Sequence, residues 1–204
     1  MRTTVAGVLL AAGEGSRFGR PKALVEVDGR TLAERGADLL RSGGADPILI
    51  VTGAAPVRLP GTQAVDNPDW RTGMGSSLRA GLRALAGTQD VSAVVVALAD
   101  QPLVGPDAVT RLIAAYRAGA SVAVAAYDGQ PRNPVLLARE HWPEVIATAT
   151  GDTGARAFLR ARADLVTLVE CGDTGRPDDI DTPADLARVA AALARLTDGH
   201  LPPA

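Results

Sequence analysis

Residues 4–10 read TVAGVLL and run without a break into Ala11-Ala12-Gly13-Glu14-Gly15-Ser16-Arg17-Phe18-Gly19-Arg20-Pro21-Lys22. A continuous apolar run of strand length, with no polar alternation, suits a parallel strand covered on both faces. The glycines that follow let backbone N–H groups approach an anion without interference from Cβ atoms. A spanning helix needs about 20 apolar residues. This run stops at Gly13-Glu14-Gly15 and then turns basic, so it reads as a buried first strand rather than a signal or membrane segment. The expected location is cytoplasmic.

Similar runs recur along the chain at Pro47 to Thr52, Gln63 to Val65, Ser92 to Ala99, Ser121 to Ala126 and Leu165 to Val169. Helical patterns lie between them. Thr31 and Glu34 form a capping box, and Gly43-Gly44 ends that helix. Leu78, Leu82 and Leu85 share one helical face, Pro106 opens a third helix, and Thr182-Pro183 opens the last. Strand alternating with helix predicts a three-layer, Rossmann-like α/β domain with a mostly parallel sheet. Tyr127-Asp128-Gly129-Gln130 reads as a hairpin turn, so a small antiparallel excursion is expected between Ala120 and Thr150. One domain over residues 1–200 is predicted, with a frayed tail at Leu201 to Ala204.

Of 204 residues, 47% are hydrophobic and 22% charged, the balance of an ordinary globular protein. The formal net charge of −2 gives no reason to expect a nucleic-acid or membrane partner. A lone cysteine, Cys171, excludes an intramolecular disulfide and a multi-cysteine metal cluster, and His141 and His200 offer little for zinc. Lys22 is the single lysine among 21 basic residues, and the only asparagines, Asn67 and Asn133, each precede proline.

The loop after the first strand departs from two common phosphate loops. A Walker A loop fails because the fifth residue after Gly13 or Gly15 is Phe18 or Arg20 rather than glycine. The dinucleotide fingerprint fails because Gly19 comes one place late. The pattern present is G-x-G-x-R-x-G-x-P-K, with Arg17 inside the loop and Lys22 at its exit, both suited to neutralising a triphosphate. Further on, Ala97-Leu98-Ala99-Asp100-Gln101-Pro102 places a carboxylate just past a very apolar strand, at the sheet edge where the first loop should lie. Transfer at phosphorus needs alignment and charge neutralisation, commonly through Mg2+ held by carboxylates, which makes Asp100 a candidate metal ligand.

Leu10-Ala11-Ala12-Gly13 through Pro21-Lys22 resembles the signature loop of nucleotidyltransferases, which couple an NTP to a phosphorylated acceptor and release pyrophosphate. The segment around Asp100 is similar to the L-x-D-Q-P of that family, where the aspartate serves Mg2+. Asp178-Asp179-Ile180-Asp181-Thr182-Pro183 resembles its D-I-D-T-P, which implies Asp181 as a second metal ligand and Asp179 on the acceptor side. Thr182 and the acids also read as a helix cap. Gly129 to Leu137 and Gly151 to Arg156 resemble the family's G-x-x-x-N-P-V-L and G-D-x-G-A-R, which implies Asn133 and Asp152 on the acceptor side. The fold this implies is that of the nucleotide-diphospho-sugar transferases.

Asn67, Gly73, Ser76 and Ser77 are candidate nucleotide contacts, because an amide and small residues at a helix start suit a base edge or an anion. A plain turn and N-cap account for them equally well. The implied nucleotide set is Leu10, Ala11, Ala12, Gly13, Gly15, Ser16, Arg17, Lys22, Asn67, Gly73, Ser76 and Ser77. Arg17, Lys22 and Asp100 carry the catalytic roles.

The match is closest to the MobA-like NTP transferases, in particular the molybdenum cofactor cytidylyltransferase branch. Leu-Ala-Ala-Gly stands where the guanylyl branch has Leu-Ala-Gly-Gly, and the Ala12 methyl would narrow the base pocket toward a pyrimidine. Phe18 stands where methionine is usual. The resemblance implies Mg2+ as cofactor, an NTP (CTP favoured) and molybdopterin as substrates, and a molybdoenzyme client. Two alternatives stay open: a sugar-1-phosphate nucleotidyltransferase, and an NAD(P)H-dependent oxidoreductase of an aromatic pigment, of the nicotine blue type.

Overall fold

In the computed structural model, which describes residues 4–197, strand β1 (Thr4–Leu10) is buried along nearly its whole length. It leads through the glycine loop to a small antiparallel ribbon, β2 (Glu26–Val27) and β3 (Arg30–Thr31). Then follow α1 (Leu32–Ser42), β4 (Ile48–Thr52), β5 (Gln63–Asp66), α2 (Met74–Ala86), β6 (Val91–Leu98) and α3 (Pro106–Arg117). The last part carries β7 (Val122–Tyr127), β8 (Gln130–Ala138), α4 (Trp142–Thr148), α5 (Arg156–Ala161), β9 (Val166–Glu170) and α6 (Pro183–Thr197). The tail Leu201 to Ala204, expected to fray, lies outside the described residues.

Seven strands form the main sheet in the order β5-β4-β1-β6-β8-β7-β9. All neighbours run parallel except β8, which is antiparallel to both β6 and β7. The chain steps outward from β1 through β4 to β5, then returns to place β6 on the other side of β1. That reversal opens a crevice beyond the carboxyl ends of β1 and β6, the place where open α/β sheets bind ligands.

Helices cover both faces, which is why the strands are apolar on both sides. On one face Leu39 and Leu40 of α1 and Val109, Leu112 and Ile113 of α3 pack on Leu9, Ile50 and Val95. On the other, Leu78, Leu82 and Leu85 of α2, Val145 of α4 and Phe158 of α5 pack on Val8, Val51 and Val96. A third apolar cluster joins Val25, Val27 and Leu32 to Leu103, Ile180 and Val189, bringing α6 against the β2–β3 ribbon. Among the described residues no helix is long and apolar enough to cross a membrane.

The capping box of α1 has both arms: the Glu34 N–H donates to Thr31 Oγ1 at 3.2 Å, and the Thr31 N–H donates to Glu34 Oε2 at 2.7 Å. Asp128 and Gly129, with φ of 52° and 71°, make the expected tight turn between β7 and β8. The antiparallel excursion expected between Ala120 and Thr150 is present, and within the main sheet it consists of β8 reversing between β6 and β7. Beyond it the chain folds into the short helices α4 and α5, which sequence periodicity does not reveal.

Candidate active site

Four chain segments converge beyond β1 and β6. The glycine loop is closed on itself by the Lys22 N–H, which donates to the Gly13 carbonyl at 3.2 Å. Gly15 adopts φ of 63°, and a Cβ there would come within 2.7 Å of the Lys22 nitrogen, so only glycine lets the loop turn this tightly. Its middle, Ser16–Phe18, is a single 3₁₀ turn. Phe18 packs against the third apolar cluster, to which α6 contributes Val189. The aromatic ring thus anchors the loop on that cluster and is absent from the lining of the cleft described below.

The second segment is the end of β6. The Ala99 N–H donates to the Leu10 carbonyl at 3.1 Å, so Asp100 emerges next to the loop. The third is 177–181, tied down by the Ile180 N–H, which donates to the Asp100 carbonyl at 2.9 Å. Gln101 Nε2 adds bonds to Asp179 Oδ1 at 2.8 Å and the Pro177 carbonyl at 3.3 Å. The fourth is the start of α2, where the Met74 N–H donates to Asp152 Oδ1 at 3.3 Å.

At the junction of the first three segments lies the Lys22 ammonium, 2.7 Å from Asp100 Oδ2 and 2.8 Å from Asp181 Oδ1. The Lys22 and Asp100 side chains are 17% and 23% exposed, against 53% for Asp181, so one carboxylate is sheltered and the other faces solvent. Burial alone would lower the lysine pKa. The charge and hydrogen bond of Asp100, and then those of Asp181, outweigh it and hold the ammonium above the ordinary lysine value. Loss of solvent raises the neighbouring Asp179 carboxyl above the usual aspartate value, and Asp100 and Asp181 reinforce this against the Gln101 hydrogen bond.

Helix α6 is capped without these acids. Asp185 Oδ2 accepts from the Thr182 N–H at 2.9 Å and from the Asp181 N–H at 3.2 Å, while the Asp185 N–H donates to Thr182 Oγ1 at 3.2 Å. Asp181 is left available to the cleft, and Thr182 takes the capping role.

A pair of carboxylates facing a cation position fits Mg2+, which commonly takes one or two protein carboxylates and fills its remaining positions with water and substrate phosphate. Among the described residues no group of three or more His, Cys, Asp or Glu side chains is placed to hold a metal by itself.

Beside this junction opens a cleft of about 510 Å³, within the size range of small-molecule sites. Of the residues expected from the sequence, Leu10, Ala11, Ala12, Gly13, Lys22, Gly73, Ser77, Asp100 and Asp152 line it. Gly15, Ser16 and Arg17 do not; Ser16 and Arg17 are solvent-exposed on the loop's outer turn. Asn133 on β8 is half-buried and outside the lining; the exposed Asp179, which accepts from Gln101, and Asp181, which bonds Lys22, are outside it too.

Asn67 is turned into the protein. Its amide is buried and donates to Ser76 Oγ at 2.9 Å and Ser77 Oγ at 3.0 Å, while its Oδ1 accepts the Asp69 N–H at 3.1 Å. Ser76 Oγ in turn donates to the Gly73 carbonyl at 2.8 Å. Asn67 and Ser76 thus shape the entry into α2 from within, and neither is among the residues that line the cleft. Sequence reasoning missed Trp70, Arg71 and Met74 in the lining, because a single aromatic in a loop has no periodic signal.

Residues 7–166 match the family described as MobA-like NTP transferase domain. The chain is 41% identical to the nicotine blue oxidoreductase of Paenarthrobacter nicotinovorans, over 91% of this chain and 96% of that protein. It is 34% identical to the 2-C-methyl-D-erythritol 4-phosphate cytidylyltransferase of Rhodococcus opacus, over 78% of this chain and 69% of the relative. Among solved structures, a manganese complex of Rv0371C from Mycobacterium tuberculosis superposes with a TM-score of 0.75 at 27% identity, covering 93% of this chain and all of that one.

Proposed function

The chain belongs to the MobA-like NTP transferase family, and from that premise we propose a Mg2+-dependent nucleotidyltransferase, cytoplasmic and folded as one domain. It joins an NTP, with CTP favoured, to a small phosphorylated acceptor, molybdopterin first, and a molybdoenzyme is the downstream client. The observation that carries this reading is the Lys22 ammonium held between Asp100 and Asp181 at the exit of the glycine loop.

In the proposed reaction an oxygen of the acceptor phosphate bonds to the α-phosphorus as the bond from that phosphorus to the bridging oxygen breaks. Pyrophosphate leaves with the electron pair. The acceptor is already anionic, so no side chain must act as nucleophile or general base. Loop N–H groups around Ala12 and Gly13 and the Lys22 ammonium bind and neutralise the departing phosphates, with Arg17 adding charge from the outer turn. Asp100 and Asp181 would hold Mg2+, which supplies positive charge to the phosphate oxygens. Gly73 and Ser77 hold the nucleotide from the opposite wall, and the Ala12 methyl narrows the base end. Asn133, Asp152 and Asp179 bound the acceptor side.

A second reading follows from the 41% identity to a protein named for nicotine blue: the same cleft would hold an aromatic pigment for reduction by NAD(P)H. The test is pyrophosphate release with Mg2+ and molybdopterin, comparing CTP, GTP, ATP and UTP. Release with CTP alone supports the full reading. Release with another nucleotide keeps the chemistry and discards the base assignment. Silence with all four, together with pigment-dependent loss of nicotinamide absorbance, overturns transfer in favour of reduction. Release with a sugar 1-phosphate instead would replace the acceptor.

A further inference from the structure

Part of the cleft lining has a composition that phosphate chemistry does not require. Trp70 and Arg71 both line it, and the Arg71 guanidinium lies over the indole with its carbon 4.3 Å from the ring centroid. Trp70 is the only aromatic among the lining residues, in a chain that is 3% aromatic. Its position is built in. A Cβ at Gly53 would come within 2.5 Å of Trp70 Cβ and 2.9 Å of Ala12 Cβ, so the glycine at the end of β4 lets the tryptophan settle against the start of the loop.

The backbone is held as well. The Trp70 N–H donates to the Asn67 carbonyl at 3.3 Å, and Asn67 is locked by its buried serine partners. Arg71 is solvent-exposed and pairs with no carboxylate among the described residues, although Asp152 lines the same cleft. An arginine with no carboxylate partner among the described residues, its guanidinium over the face of an indole, makes a wall suited to stacking.

We propose that Trp70 and Arg71 form the specificity wall of the cleft, against which the planar nitrogen heterocycle of a substrate stacks, while the Lys22 end takes phosphates. This deepens the proposed function and rests on the cleft being its substrate site. The same chemistry could come from the nucleobase or from a planar acceptor, and Ala12, next to Trp70, makes the base the primary source.

The chain has two tryptophans, which gives the test a direct signal. Trp142 is buried, and its indole N–H donates to the Leu137 carbonyl at 3.1 Å, so it is a constant background. Tryptophan fluorescence is titrated with cytidine, CTP, 6-hydroxymethylpterin and inorganic tripolyphosphate. Cytidine and CTP should quench, and tripolyphosphate should not. Trp70→Leu should abolish the quench and weaken cytidine binding, read by calorimetry, by about 5- to 150-fold, the range of a base–aromatic stack. Tripolyphosphate affinity should be unchanged. Trp70→Phe, which keeps a ring, should retain most cytidine affinity, and Arg71→Ala should lose a few-fold of it.

Unchanged cytidine and pterin affinity in Trp70→Leu overturns the proposal. A loss confined to pterin supports the wall and assigns it to the acceptor. Should Trp70→Leu not fold, loss of the quench in Trp70→Phe with affinity retained still supports stacking, and a quench that persists overturns it. If Lys22→Ala leaves tripolyphosphate binding intact, the transfer reading fails on its own, because the heterocycle titrations do not involve Lys22.

Discussion

The Lys22 ammonium and the Asp100 carboxylate meet at 2.7 Å across 78 residues of chain. With Asp181 as its second partner, one positive charge already serves both carboxylates, the pair proposed to hold Mg2+. A divalent cation entering the nucleotide-free protein must displace that ammonium or lie against it, and two like charges at contact distance repel.

Lys22→Gln should therefore bind Mn2+ more tightly than the parent when no nucleotide is present, by roughly tenfold, within the usual span of coupling between sites. Electron paramagnetic resonance of free Mn2+ reads this directly. Equal affinities in the two proteins would mean that the ammonium does not hold the metal position. The same variant should lose affinity for triphosphate more than for monophosphate.

Asp100→Ala should remove metal-dependent turnover by about a hundredfold or more, the scale of losing a group that neutralises transition-state charge. The fold should survive, since Asp100 contributes its main chain to the Ile180 tie and that bond remains. Full residual activity with an unchanged melting curve would remove Asp100 from the reaction.

Asn67→Ala separates scaffold from ligand contact. It deletes two donated bonds and one accepted bond in a buried setting. The buried polar groups it abandons cost about 1–3 kcal/mol. The melting temperature should fall by several degrees, at about 2–4 °C per kcal/mol for a chain of this size. Tripolyphosphate affinity, measured well below that temperature, should hold.

The cap of α1 carries a pH signature. The Thr31 backbone N–H, and then its hydroxyl, hold the Glu34 carboxyl below its ordinary value of 4.5. A lowered folded pKa stabilises the folded state above the unfolded value, and that contribution is lost as pH falls through the folded one. Thr31→Ala should cost about 1 kcal/mol at pH 7. The cost should shrink as the pH falls below 4.5, and equal costs at pH 7 and pH 3 would break the link to Glu34.

Legibility followed the physics of each segment. The strands could be read because covering both faces demands unbroken apolar runs such as Ser92 to Ala99. The β7–β8 turn could be read from Asp128-Gly129, whereas the identical pair Asp28-Gly29, with φ of 52° and 70°, passed unnoticed because its flanking strands are two residues each. Helices α4 and α5, of seven and six residues, are too short for a periodic face to emerge. In the site, the lysine and the acids stood out by type and position, but their pairing depends on a tertiary fold that brings 177–181 back to β6. Asn67 and Trp70 were the hardest. Nothing in the sequence distinguishes an amide that faces inward from one that faces a ligand, and only Gly53 explains why the indole rests where it does.

The bond between Lys22 and Asp181 spans 159 residues, and it has a consequence for the order of biosynthesis. At the usual pace of about 5–20 residues per second, Lys22 leaves the ribosome roughly 8–30 seconds before its second carboxylate. During that interval the glycine loop and Asp100 can fold together, yet the chain lacks Asp181 and also Ile180 and Val189 of the apolar cluster on which Phe18 packs. Until residues 177–181 emerge, Asp100 is the carboxylate available to Lys22, so the second half of the pair forms only once that segment has folded back to β6.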